Sequence, residues 1–199
     1  PNPMVGCVIV KGKKAIGEGW HKSYGGDHAE IEAIKYCKRK FGVKKAIQLL
    51  KGSTLYVNLE PCSLIKNTPP CVDALIAYGI KKVICGTLDP NPKINGLGVK
   101  LLKNAGIDVS VGILEKDCKE LNKIFFTTQK KSRPYIILKA AQSLDGKIAL
   151  KNGASSWISN SHSRKDTHLM RAQMKAILVG KNTAVNDNPA LTVRLSHKE

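Results

Sequence analysis

Three residues that can hold a transition metal stand far apart in this chain, and any fold it adopts must bring them together. His28 opens a His28-Ala29-Glu30 run, Cys62 follows Pro61, and Cys71 closes Thr68-Pro69-Pro70-Cys71. One imidazole and two thiolates fill three positions of a tetrahedral zinc site and leave the fourth open. Glu30 can stand beside that open position without ligating the metal. Open-site zinc with a neighbouring carboxylate is the equipment of hydrolytic deamination, in which the carboxylate carries a proton from water to a ring nitrogen and on to the leaving amine. Each residue alone has a plain explanation, a histidine at a helix start or a pair of buried thiols. Their joint placement favours zinc.

The surrounding pattern tells how they meet. Val5 to Val10 and Ala15 to Trp20 flank a Lys11–Lys14 turn and predict a hairpin. Ile31, Ile34 and Cys37 fall at helical spacing, which predicts a helix over His28 to Cys37 with Asp27 as its N-cap. Strands are expected at Thr54–Leu59, Lys82–Thr87 and Asp108–Val111, with helices at Cys71–Tyr78, Leu97–Ala105 and Glu115–Phe126. Strands alternating with helices imply an α/β layered sheet. Both ligand runs then lie at helix starts, where partial positive charge favours thiolates. The polar, basic Thr127–Pro134 stretch is taken as a linker between a zinc domain over 1–126 and a second segment over 135–199. In that segment Tyr135–Ala141 and Ala176–Gly180 predict strands, Ser143–Gly146 a turn and Ser161–Met174 a helix.

Of the 199 residues, 33 are Lys or Arg and 15 are Asp or Glu, a formal charge of +18. No aromatic-basic stacking platform accompanies this charge, so a solvated surface and an anionic small substrate fit it better than nucleic acid. Apolar runs are too short to span a membrane, and no signal peptide is apparent. Six cysteines without secretory context fit a reducing cytoplasm. The chain starts at Pro1 without methionine and is expected to be a fragment. A homo-oligomer is compatible with the sequence.

Pro1-Asn2-Pro3-Met4-Val5-Gly6-Cys7-Val8-Ile9-Val10, His28-Ala29-Glu30, Glu60-Pro61-Cys62, Thr68-Pro69-Pro70-Cys71 and Asp89-Pro90-Asn91-Pro92 resemble the bifunctional deaminase-reductases of bacterial riboflavin biosynthesis. Eight residues separate the two cysteines, as in that branch, where other zinc deaminases use Pro-Cys-x-x-Cys. Ser143-Leu144-Asp145-Gly146-Lys147, Ser155-Ser156-Trp157-Ile158, Arg171-Ala172 and the stretch from Val179 to Arg194 resemble the same family's reductase domain. The resemblance implies a cytidine-deaminase-like three-layer sandwich followed by the N-terminal part of a dihydrofolate-reductase-like domain. It implies zinc on His28, Cys62 and Cys71, Glu30 as the proton carrier, and Asn2 on the pyrimidine. It further implies NADPH contacts from Ala141, Trp157, Thr183 and Asp187, and substrate contacts from Ser155, Arg171, Leu191 and Arg194. Two guanidinium forks suit a sugar phosphate. The implied substrate of the deaminase is a diaminopyrimidinone ribosylamino 5′-phosphate, whose ribose the reductase then reduces.

This chain departs from the family loop, Ser-His-x-Gly-Lys/Arg-Thr-Pro-Pro-Cys, by carrying Leu64 for the histidine and Asn67 for the base, with Lys66 one place earlier. Weaker hold on phosphate is expected. The family reductase also continues well past Arg194, so the visible part is expected to lack reductase activity and to be the less stable half. Two other readings are a nucleic-acid deaminase, disfavoured by the cysteine spacing and the reductase-like segment, and a zinc-stabilised remnant without turnover.

Overall fold

The computed structural model describes residues 2–64, 69–154 and 157–195, which form two compact units divided between Ile136 and Ile137. In the first, β1 (Gly6–Lys11) and β2 (Lys14–Trp20) form the expected antiparallel hairpin. Helices α1 (Ala29–Phe41) and α2 (Val43–Leu50) lead to β3 (Thr54–Val57). Then come α3 (Cys71–Ala77), β4 (Lys82–Cys85), α4 (Leu97–Asn104) and β5 (Asp108–Val111). Helices α5 (Glu115–Leu121) and α6 (Lys123–Lys131) close the unit.

The sheet order is β2-β1-β3-β4-β5. β1 pairs antiparallel with β2 and β3, whereas β3, β4 and β5 run parallel. Parallel neighbours need crossover connections, and α3 and α4 supply them. Cys7, Ile9, Leu55, Val57, Val83, Cys85 and Val109 share one face and pack against Ala33, Ile34 and Cys37 of α1, Leu50 of α2, Leu75 of α3 and Leu102 of α4. On the other face α5 begins a third layer, with Cys118 Sγ where a side chain on Gly86 would go.

Close approach of α1 to the sheet depends on two glycines. A Cβ on Gly19 would meet Ala29 O at 2.6 Å and the Ala33 amide, and one on Gly17 would meet Ala33 O at 2.5 Å. Only hydrogen fits between this strand and that helix.

Several sequence expectations need correction. Asp27 does not cap α1; its carboxylate pairs with Lys35, and the N-cap residue is His28 with extended backbone (φ −74°, ψ 161°). Helix α2 was not anticipated. The helix expected over Glu115–Phe126 breaks at Asn122, whose buried amide accepts from Met4 N–H at 2.7 Å and donates to Met4 O at 2.9 Å. That pair of bonds, with Asn58 donating to Met4 O at 2.9 Å, fixes the segment that carries Asn2. Helix α6 continues to Lys131, so much of the polar 127–134 stretch is helical.

In the second unit the Ser143–Gly146 turn forms as expected, with Gly146 at φ 77° donating to Ser143 O at 2.9 Å. Helix α7 (Ser161–Gln173) is capped by Asn160, which accepts from Ser163 N–H at 2.9 Å. Helix α8 (Lys181–Asp187) follows, where the sequence showed no helical period. The strands expected at 135–141 and 176–180 are not formed, because neither run has a ladder partner among the described residues. Leu138 and Leu178 are 94% and 97% exposed.

Candidate metal centre

The three ligands converge at the carboxyl ends of β3 and β4 because the parallel crossover returns α3 beside the β3 exit. Cys62 follows β3 through Glu60-Pro61, and its carbonyl accepts from Val72 N–H at 3.2 Å, which seats the start of α3. Cys71 is the first residue of α3, and His28 sits at the start of α1. One ligand atom from each of His28, Cys62 and Cys71 lies within 4.8 Å of the others. Cys71 Sγ is 3.3 Å from His28 Nδ1, and Cys71 N–H donates to Cys62 Sγ at 3.2 Å. An imidazole and two sulfurs at such separations fit tetrahedral zinc and leave its fourth position toward the cavity.

Cys62 accepts from the Cys71 thiol and is held well below its ordinary pKa, while Cys71 keeps the proton and is pushed far above it. A zinc ion would replace that proton with ligation to both thiolates. Glu30, on the first turn of α1, is 2% exposed. Burial pushes its carboxyl up to about 7, its own backbone N–H pulls it down, and the Cys62 thiolate raises it further.

The ligands open onto a cavity of about 420 Å³. Asn2, His21, Glu30, Leu64 and Asp89 are among its lining residues. Asn2, His28, Glu30 and Cys62 thus line one cavity, with Cys71 beside His28. His21, Tyr24, Asp89 and Ile94 are wall residues that sequence reasoning passed over. Asp89 stood inside a quoted motif without a role, and His21 has no local signal; it enters by stacking edge-on against His28, centroids 5.4 Å apart, while its Nδ1 lies 2.9 Å from Asp27 O. Of the loop between the cysteines, Leu64 lines the cavity, whereas Lys66 and Asn67 lie outside the described residues.

In the second unit Arg171 and Arg194 meet at Thr192, Arg171 donating to its carbonyl at 3.3 Å and Arg194 to its hydroxyl at 3.0 Å. Leu191, just before Thr192, stands at φ 53°. Trp157 lines a cavity of about 290 Å³ and stacks under Arg164 at 4.5 Å. Ala141, Thr183 and Asp187 do not line that cavity. Of the four residues expected at NADPH, Trp157 alone lines that cavity, and Ser155 lies outside the described residues.

Comparison with known proteins agrees with this division. Residues 1–87 match the cytidine and deoxycytidylate deaminase zinc-binding region, and residues 134–199 match the RibD C-terminal domain. The riboflavin biosynthesis protein RibD of Aquifex aeolicus is 50% identical over 98% of this chain and 52% of its own length. That of Escherichia coli is 46% identical over 98% of this chain and 51% of its own length. The crystal structure of a diaminohydroxyphosphoribosylaminopyrimidine deaminase/5-amino-6-(5-phosphoribosylamino)uracil reductase from Thermotoga maritima superposes with a TM-score of 0.89 at 47% identity, covering 99% of this chain and 54% of that one. The chain spans about half the length of the curated relatives it matches.

Proposed function

The chain belongs to the RibD family, with a deaminase zinc-binding region followed by a RibD C-terminal domain, and we propose that its first unit deaminates 2,5-diamino-6-ribosylamino-4(3H)-pyrimidinone 5′-phosphate in riboflavin biosynthesis. We place the deaminase at residues 1–126, a connection at 127–134 and reductase sequence from 135 to 199. The observation that carries the reading is one cavity lined by Asn2, His28, Glu30 and Cys62, with Cys71 3.3 Å from the imidazole.

Zinc on His28, Cys62 and Cys71 would supply activated water at neutral pH. Glu30, buried beside these three residues, would take up a proton and pass it first to the ring nitrogen and then to the departing amine. The ring carbon gains a C–O bond and loses its C–N bond, and ammonia leaves. Asn2, on the cavity lining, would hydrogen-bond the pyrimidine.

For the second unit, Arg171 and Arg194 are our candidates for the sugar phosphate, and Ser155 and Leu191 are further candidates for substrate contact. Ala141, Trp157, Thr183 and Asp187 are the candidates for NADPH, the reductant of the family's reductase domain. Among the described residues no helix is long and apolar enough to cross a membrane. A cytoplasmic protein acting on a phosphorylated pyrimidine, without nucleic acid, is the reading we favour.

The test is ammonia release by zinc-loaded protein given the ribosylaminopyrimidine phosphate. Glu30→Gln should retain one zinc per chain and lose ~10²–10⁴-fold in rate. Activity within a few-fold of the parent would assign the proton to another group. Zinc retention with no ammonia from the parent would leave a metal-binding protein that does not turn over.

A further inference from the structure

We infer that Glu60 is a positioning residue that joins the metal-binding half of the cavity to the wall facing it. The inference rests on the deaminase reading, and it concerns a side chain to which the chemistry above gives no task.

Glu60 lies two residues before Cys62 and is 4% exposed. Its carboxylate accepts three backbone N–H groups: Asp89 at 3.1 Å and Gly96 at 2.9 Å on Oε2, and Val99 at 3.2 Å on Oε1. No side chain on α4 caps that helix, because its N-cap is Gly96. A carboxylate from the β3 exit fills the role and suits the positive end of the helix. The third bond reaches Asp89, which holds its own loop by accepting Asn91 N–H at 2.8 Å on Oδ1 and the Asn95 side-chain amide at 2.7 Å on its carbonyl. Asp89 and Ile94 of that loop line the same cavity as His28 and Cys62.

A second observation shows how closely the halves are joined. A Cβ on Gly98 would collide with the Pro61 carbonyl and come within 3.3 Å of Glu60 Oε1. Helix α4 is seated directly on the segment that delivers Cys62. The spacing between the Cys62 segment and the Asp89–Ile94 loop is therefore set through Glu60, which lines the cavity while both its oxygens are taken by backbone donors. Preorganised walls lower the ordering cost of binding, so loosening this one should weaken ligand affinity and leave the metal in place.

Glu60→Gln keeps the shape but turns an amide N–H₂ toward backbone donors. The measurement is isothermal calorimetry of the deaminated product on zinc-loaded protein, with zinc content and amide exchange recorded on the same samples. We expect full zinc, unchanged binding stoichiometry, faster exchange at Asp89, Gly96 and Val99, and a Kd raised roughly 10- to 100-fold. In turnover the loss should appear in KM, with kcat within a few-fold. A merely structural role would lower stoichiometry at constant Kd, and that result overturns the inference. So does loss of zinc, which would place Glu60 in the metal half alone. Should Glu60→Gln not fold, Gly98→Ala leaves the carboxylate intact and lifts α4 from Pro61; it should raise Kd likewise, and an unchanged Kd refutes the coupling. A parent protein that ignores the product refutes the deaminase reading and the substrate side of this inference together. A parent that binds, with variants that bind equally well, refutes the positioning role by itself.

Discussion

Up to α6 the chain buries Ile9, Leu55, Leu75, Val83 and Leu102 completely, whereas from 137 to 195 no described residue is buried. Leu144, Trp157 and Val185 of the second unit stand open, and α7 and α8 contribute nothing to a core. Motifs are present in both stretches. In the first, a packed five-stranded sheet and its helices bring ligand atoms of His28, Cys62 and Cys71 within 4.8 Å of one another. In the second, Arg171 and Arg194 meet through local contacts at Thr192, and of Ala141, Trp157, Thr183 and Asp187 only Trp157 lines the 290 Å³ cavity. The contrast teaches that a motif supplies chemistry and a core supplies geometry. A site needs its groups within about half an ångström, which only packed neighbours can maintain.

Hydrogen exchange should show the largest difference. Amides of β1, β3 and β4 should open only with the whole unit, at about 5 kcal/mol or more, while those from 137 to 195 should exchange near the unprotected limit. Equal protection in the two stretches would break the comparison. Next in size is Cys71→Ser, which removes a ligand. At free zinc about 1,000 times the dissociation constant the parent gains ~4 kcal/mol from metal, and the variant should lose both that gain and the bound ion. Full occupancy in metal analysis would remove Cys71 from the site.

Acidity gives a smaller effect with a definite sign. In metal-free protein Glu30 titrates at about 7 against 4.5 for an ordinary carboxyl. The fold therefore prefers it protonated. Below the ordinary value both states carry the proton and nothing is lost. As pH rises from there through 7, ionisation costs the fold up to about 3 kcal/mol. The stability advantage of Glu30→Gln over the parent should accordingly grow between pH 4.5 and 8 in denaturant titrations with chelator. A difference independent of pH would mean that Glu30 is not desolvated. Smallest is a pair of glycines. Gly19→Ala forces α1 from the sheet and should cost about 1–3 kcal/mol with some loss of zinc affinity. Gly180→Ala, with nothing within 4 Å of the added carbon, should stay within about 0.5 kcal/mol. Equal costs would mean that the second unit is packed after all.

What the sequence revealed divides along the same line. The hairpin, the helix after His28 and the strand before Cys62 follow from periodicities that a packed α/β unit enforces, so they were legible. Asp27 was assigned to the cap because aspartate favours that place, but Lys35 claims its carboxylate and His28 takes the cap position. The 135–141 and 176–180 runs have strand composition, yet a strand is a paired object and composition names no partner. Glu60 was quoted only as part of Glu60-Pro61-Cys62. Its task depends on backbone donors 29, 36 and 39 residues away, which no local pattern carries.

β3 is four residues long and must satisfy two ladders at once, Leu55 facing Ile9 on one side and Val83 on the other. A slip of one residue on either side would turn Leu55 and Val57 outward and carry Cys62 away from His28. Both ladders join segments distant along the chain, and such closures are slow relative to helix formation. High-affinity metal capture therefore has to wait for the middle strand to find both neighbours. In refolding experiments, the appearance of tightly held zinc becomes a clock for the last long-range pairing, one that tracks the arrival of the register rather than the collapse that precedes it.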